Sequence, residues 1–353
     1  MGVLTQTMLI VCTAVFAGLL TPAVRTVAAH FDVVDVPDDV RRLHRGRVPR
    51  LGGIAVLIAW LGGMVALQRL GLAGESLLPG GESEITWLLA GALVVTTVGA
   101  IDDIWQLGPG AKLAGHIFAA TLAIVGGYAI HGVTNPFSGS MIHLGSFGSL
   151  VTCLWIVAIT NAFNIIDGLD GLAGGVGLIV AITVSVVAAA QGRTEASLMA
   201  APLAGALLGF LLYNFHPASI FLGDSGAYLV GFVLAALSIQ GLQKGPTLAV
   251  LSVPVLVLGL PIVETLLTVQ RRYRRSGASG LMQSDADHIH HRLLLGGMSP
   301  RRAVLLLWGT CAALAGLAGL AVFVGGPGSA AAVVVVAIGC YVGLRRLGYF
   351  REI

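Results

Sequence analysis

Charge is what this 353-residue sequence has least of. Aspartate, glutamate, lysine and arginine make up 10% of it, against about 25% in a typical soluble domain. That deficit excludes an ordinary water-soluble globule, and 56% hydrophobic content says that lipid takes water's place. Cysteine is scarce too. Cys12, Cys153, Cys311 and Cys340 stand singly in apolar runs without CxxC spacing, which argues against a disulfide framework and a cysteine zinc site and leaves them as small buried hydrophobes. No basic residue precedes the first apolar run and no clear small-residue cleavage site marks its end. It therefore reads as a first membrane helix and not as a removed signal.

What is present is a series of apolar runs of roughly 20 residues, the length that spans a bilayer as helix. They fall at 5–24, 51–68, 85–101, 113–131, 144–162, 171–190, 197–214, 227–243, 248–270, 303–324 and 330–344. The 49 glycines suit closely packed membrane helices. The expected fold is an all-α polytopic integral membrane protein of about eleven transmembrane helices, a single membrane-embedded domain over 1–353. With the N-terminus outside and the C-terminus cytoplasmic, 17 of the 20 lysines and arginines lie on the inner side; Arg69, Arg193 and Lys244 do not. That asymmetry follows the positive-inside rule, and such a basic inner face suits anionic lipid head groups. The same orientation puts the polar loops 31–50, 102–112, 161–170, 214–226 and 271–302 on the cytoplasmic face.

The chain is organised around NAFNIIDGLDG, residues 161–171. Asn161, Asn164, Asp167 and Asp170 recur at a spacing of three, which on a helical or near-helical backbone puts all four on adjacent positions of one face. Such groups beside a membrane core are costly unless something polar meets them. A substrate or metal is one partner; an interhelical hydrogen-bond knot is the other.

Four further stretches carry polar chemistry. In the first inner loop, four acids and five arginines surround His44 ahead of Pro49 and Gly52–Gly53, a topogenic loop or part of a site. Asp102 and Asp103 end one apolar run and Lys112 begins the next; adjacent carboxylates can hold a metal, take a proton or simply be solvated. Lys112 reads as a snorkelling anchor or a phosphate contact. Asp224 sits between Gly223 and Gly226 at a helix start, where a carboxylate can bind a hard cation while backbone N–H groups meet phosphate, or can merely cap the helix. His288, His290 and His291 occur within five residues, followed by Arg292. Without cysteines or HExxH spacing they suit zinc no better than an anion such as a sugar nucleotide.

Taken in order, HRGRVPRLGG, the Asp102–Asp103 to Lys112–Leu113 run, NAFNIIDGLDGLAGG, NFHPASIFLGDSG and HIHHRLL resemble the polyprenyl-phosphate N-acetylhexosamine-1-phosphate transferases. This is the MraY/WecA-like group of glycosyltransferase family 4, and the resemblance runs from about residue 35 to 295. The HIHHRLL form is similar to the WecA/TagO-like branch that uses UDP-N-acetylglucosamine. The other branch uses UDP-N-acetylmuramoyl-pentapeptide. Two positions depart from the pattern: Ala227 stands where serine is usual and His116 where glutamine is.

The resemblance implies transfer of N-acetylglucosamine-1-phosphate from the UDP-sugar to polyprenyl (undecaprenyl) phosphate in a bacterial plasma membrane, with release of UMP. This is the first membrane step of a cell-envelope polysaccharide such as lipopolysaccharide O-antigen or teichoic acid. It implies Mg2+, with Mn2+ as the alternative, on Asn164 and Asp224. Asp102, Asp103 and Asp167 take catalytic roles, and His44, Lys112, Asn161, Asp170, His288, His290, His291 and Arg292 bind substrate. Partners are then the UDP-N-acetylhexosamine, the polyprenyl phosphate, membrane lipid and, since such transferases often dimerise, a second copy; nucleic acid is not among them. The rival class is a secondary transporter, which also places charges near glycines in broken helices. Its site would lie at the midplane, and no repeated pair of interrupted helices is found here.

Overall fold

The computed structural model describes residues 3–35, 46–69, 84–134, 141–240, 258–276 and 288–324, with isolated positions 338, 339, 342 and 345. The described chain is built from helices α1 (Val3–His30), α2 (Gly52–Arg69), α3 (Glu84–Trp105), α4 (Pro109–Val125), α5 (Phe147–Ile166) and α6 (Leu172–Ala190). These are followed by α7 (Thr194–Asn214), α8 (Gly223–Gln240), α9 (Gly259–Ser276), the short α10 (Ile289–Leu295) and α11 (Pro300–Val324). Two antiparallel ribbons interrupt them: β1 (Val34–Asp35) pairs with β2 (Val48–Pro49), and β3 (Gly132–Thr134) with β4 (Met141–His143).

Among the described residues, α1, α2, α3, α5, α6, α7 and α11 are long and apolar enough to cross a membrane, and α4 is a shorter apolar helix. The all-α polytopic expectation holds. The run at 330–344 and the first part of that at 248–270 lie largely outside the described residues. Large apolar side chains face outward along the helices, with Leu19 at 74% and Leu212 at 75% exposure, as a bundle solvated by lipid requires.

The centre of the bundle is α8. Every residue from Ser225 to Ile239 is buried, and the helix is packed by α2, α3, α5 and α6. A helix apolar all round belongs in such a position. What fixes its N-terminal end is the absence of side chains on its neighbours. A Cβ at Gly53 of α2 would overlap the backbone of Ser225 and Gly226, and one at Gly99 of α3 would lie 2.5 Å from the Asp224 carbonyl. Glycine is required there because backbone meets backbone. The segment ahead of α2 is stitched to the same place: Gly52 N–H donates to the Phe221 carbonyl (3.0 Å), Gly53 N–H to that of Leu222 (2.8 Å), and Phe221 N–H to that of Pro49 (2.8 Å). Two stretches far apart in sequence thus form one rigid rim around Asp224.

Candidate active site

The C-terminal end of α3 presents Asp102 and Asp103 to different partners, as adjacent helical positions must. Asp103 accepts from the backbone N–H of Asp224 (2.9 Å) and of Ser225 (3.1 Å). It caps α8 from outside and takes the first-turn amides that the sequence offered as a phosphate cradle. Asp102 is buried; it pairs with Lys112 and accepts from Leu107 N–H (2.7 Å). Lys112 also lies 3.6 Å from Asp224. The Tyr228 hydroxyl, 3.4 Å from both Asp102 and Asp224, lies between the two carboxylates.

The central stretch corrects the expectation of one continuous polar face. Helix α5 ends at Ile166, Asp167 is its C-cap, and Gly171 at φ 79° turns the chain into α6. Only Asn161 and Asn164 remain on helix. Asn164 donates through Nδ2 to Asp224 Oδ1 (2.7 Å), which ties α5 to α8. Asn161 turns away to the Val157 carbonyl (2.8 Å) and to His116 Nδ1 (3.2 Å). His116, one of the two departures, packs edge-on against Tyr228. Asp170 is bound to the 216–218 loop, with His216 Nδ1 at 2.7 Å and Ala218 N–H at 3.0 Å on the same oxygen.

The histidines divide three ways. His288 faces buried Glu264 of α9, its Nδ1 2.8 Å from Oε1, while Oε2 accepts from Ile289 N–H (3.0 Å) and so caps α10. His290 is buried over Gly168, where a Cβ would collide with its ring. Burial and the two neighbouring histidines push its pKa down to about 3. His291 reaches the cavity. Arg292 is half-buried on α10, and His44 lies outside the described residues.

These groups surround a cavity of about 200 Å³ lined by, among others, Asp35, Arg50, Asp103, Asp167, Asp224 and His291. Asp170, Asn214 and His216 line it further round. Of the thirteen residues singled out in the sequence, Asp103, Asp167, Asp170, Asp224 and His291 line it directly. Asn164, Asp102 and Lys112 stand behind Asp224, and Asn161, His288 and His290 brace neighbouring elements. Carboxylate outnumbers cation at the wall. Burial, then the charges of Asp224 and Asp103, raise the Asp167 carboxyl well above its ordinary range, and Arg50 offsets part of this. Oxygen-rich and short of positive charge, the wall fits a hard divalent ion bound together with a polyanion. Among the described residues no three His, Cys, Asp or Glu side chains form a ready metal cage, so substrate oxygens or water would complete the shell.

Sequence reasoning missed Asp35, Arg50, Tyr228 and Glu264. Glu264 had a signal: it is the sole charged residue of the 248–270 run, and ionisable groups in such runs are functional candidates. Arg50 was submerged among the topogenic arginines.

Comparison with known proteins shows the family of the chain. The family described as "Glycosyl transferase family 4" matches residues 85–242, which include Asp102 through Tyr228. A Bacillus subtilis protein named "Probable undecaprenyl-phosphate N-acetylglucosaminyl 1-phosphate transferase" is 35% identical over 290 residues, 82% of this chain and 77% of that protein. The "Decaprenyl-phosphate N-acetylglucosaminephosphotransferase" of Mycolicibacterium smegmatis is 37% identical over 319 residues, 84% and 77% respectively. A "Phospho-N-acetylmuramoyl-pentapeptide-transferase" of Moorella thermoacetica is 34% identical over 292 residues, 79% and 85%. With such identity across most of its length, this multi-pass membrane protein belongs to glycosyl transferase family 4.

Proposed function

We propose that this chain transfers N-acetylglucosamine-1-phosphate from UDP-N-acetylglucosamine to a polyprenyl phosphate, undecaprenyl phosphate first among candidates, and releases UMP. One observation carries the reading: Asp103, Asp167, Asp170 and Asp224, from three helix junctions, meet in one cavity of an apolar bundle, in a chain similar to N-acetylglucosamine-1-phosphate transferases over four-fifths of its length. The arginine asymmetry supports a cytoplasmic cavity, an external N-terminus and about eleven spans, as a cytoplasmic sugar nucleotide requires.

In the proposed reaction an oxygen of the carrier phosphate attacks the β-phosphorus of the donor, the bond to the bridging oxygen breaks, and UMP leaves with that oxygen. A phosphate monoester is largely dianionic at neutral pH, with a second pKa near 6, so no strong base is needed. Positioning and charge neutralisation are the protein's tasks. Asp103 holds the α8 terminus and with it Asp224. Asn164 fixes the Asp224 carboxylate from α5. Lys112 pairs with Asp102 beneath them, and Asp167 lines the cavity. Asn164 and Asp224 would hold Mg2+, which when bound neutralises pyrophosphate oxygens and polarises the leaving group. His291, on the cavity wall, would meet the sugar nucleotide.

Purified protein in detergent, given undecaprenyl phosphate, Mg2+ and one donor at a time, is expected to form lipid-linked product from UDP-N-acetylglucosamine. Product from UDP-N-acetylmuramoyl-pentapeptide alone would move the sugar assignment to the other branch. Uptake of label into sealed vesicles with no lipid-linked product would make the chain a transporter.

A further inference from the structure

The proposed reaction brings two polyanions into a cavity whose wall is mostly carboxylate, so a fixed cation must meet phosphate there. Lys112, the sequence's choice, does not line the cavity; it pairs with Asp102 and approaches Asp224. Among the described residues the permanently charged cation on the wall is Arg50. Its guanidinium is held by one edge: Nη2 lies 2.7 Å from Oδ1 of Asp35, whose side chain is 9% exposed, while 29% of the arginine side chain stays open. Asp35 is itself fixed, paired with Val48 in the β1–β2 ribbon.

The backbone around Arg50 is held at a cost. Leu51 has φ 73°, a left-handed conformation that an apolar side chain rarely adopts and only under strain. It is locked there by the hydrogen bonds of Pro49, Gly52 and Gly53 to residues 221–222. A turn that served topology alone could relax. This one aims the preceding side chain at the Asp224 cavity, and stored strain of this kind gathers at functional sites.

From this placement we infer that Arg50, oriented by Asp35, is a phosphate-binding residue of the cavity that takes phosphate oxygens of a substrate through the donors Asp35 leaves open. Guanidinium is suited to this by its planar fork and permanent charge. The phosphate belongs either to the nucleotide diphosphate or to the prenyl monophosphate; the chemistry is the same, and kinetics separate them. This inference rests on the transferase reading above.

The test compares wild type with R50A, R50K and D35N, each with thermal unfolding measured in the same detergent. R50A is expected to raise KM for one phosphate substrate roughly tenfold or more, the worth of a charge-assisted bond. A rise for UDP-N-acetylglucosamine, matched by weakened binding of UDP without lipid, assigns the nucleotide; a rise for undecaprenyl phosphate alone assigns the carrier. R50K recovers part of the loss, and added methylguanidinium partly rescues R50A. D35N shifts the same KM less, and the R50A/D35N double variant is no worse than R50A, as coupled residues require. An R50A protein with both KM values and UDP binding unchanged overturns the inference, as does a loss that tracks unfolding and is not rescued. Inactive wild type would instead overturn the transferase reading, and the UDP-binding arm would still judge Arg50.

Discussion

Gly53→Ala adds one methyl group, changes no charge and touches no proposed ligand, yet it should be among the most damaging small substitutions in the chain. A Cβ there overlaps the backbone of Ser225 and Gly226, the residues directly after Asp224, and backbone cannot rotate out of the way as a side chain could. Relief requires α2 and α8 to separate, which strains the Gly53–Leu222 and Gly52–Phe221 hydrogen bonds. Overpacking of this kind costs about 1–3 kcal/mol, and a shift of about 1 Å at a positioned group costs on the order of a hundredfold in rate. The expected result is a kcat down by roughly 10²-fold with a moderately lowered Tm, measured as initial rate of lipid-linked product and as unfolding in detergent. Gly309→Ala on α11 is the control, since nothing lies within 4 Å of a Cβ there; its rate and Tm should match or exceed wild type. Wild-type kcat in Gly53→Ala would refute the claim that this contact sets the position of Asp224.

Other substitutions test the remaining contacts. Glu264→Gln keeps the shape but leaves the His288 and Ile289 pairing incomplete, at about 1–3 kcal/mol; activity should fall with Tm, and an unaffected enzyme would show that α10 needs no such brace. Lys112→Met strands the buried Asp102 carboxylate and should cost more stability than Lys112→Arg, which unfolding curves of the two would show. His290, with its pKa near 3, remains neutral when folded but takes a proton near pH 6.5 once unfolded. Stability should therefore decline as pH falls below 6.5, being largest above it. His290→Asn should flatten that slope in Tm against pH, and an unchanged slope would place the acid sensitivity elsewhere.

The span pattern was legible because lipid imposes length and apolarity on each segment, and described helices fall near the expected runs. The position of the site was legible as well, since polar residues cannot collect beside a membrane core without cause. Less legible was which polar group meets which. Spacing put Asn161, Asn164, Asp167 and Asp170 on one helical face, but the helix stops at Ile166; Asn161, Asn164 and Asp170 go to different partners, and Asp167 faces the cavity. Adjacent Asp102 and Asp103 looked alike in sequence, whereas their partners, Lys112 for one and the α8 amides for the other, are set by helices 10 to 122 residues away. Arg50 was hidden for another reason. A topogenic arginine and a phosphate-binding one have the same composition signal, and only Asp35 and the turn at Leu51 tell them apart.

The most direct measurement follows the phosphorus atom. With UDP-N-acetylglucosamine labelled at its β-phosphate, undecaprenyl phosphate and Mg2+, wild-type protein should move the label into lipid and release unlabelled UMP in equal amount, while Asp224→Ala should do neither. Label left in free UDP beside a glycolipid would mean that the sugar alone is transferred, and the proposed reaction at this cavity would be wrong.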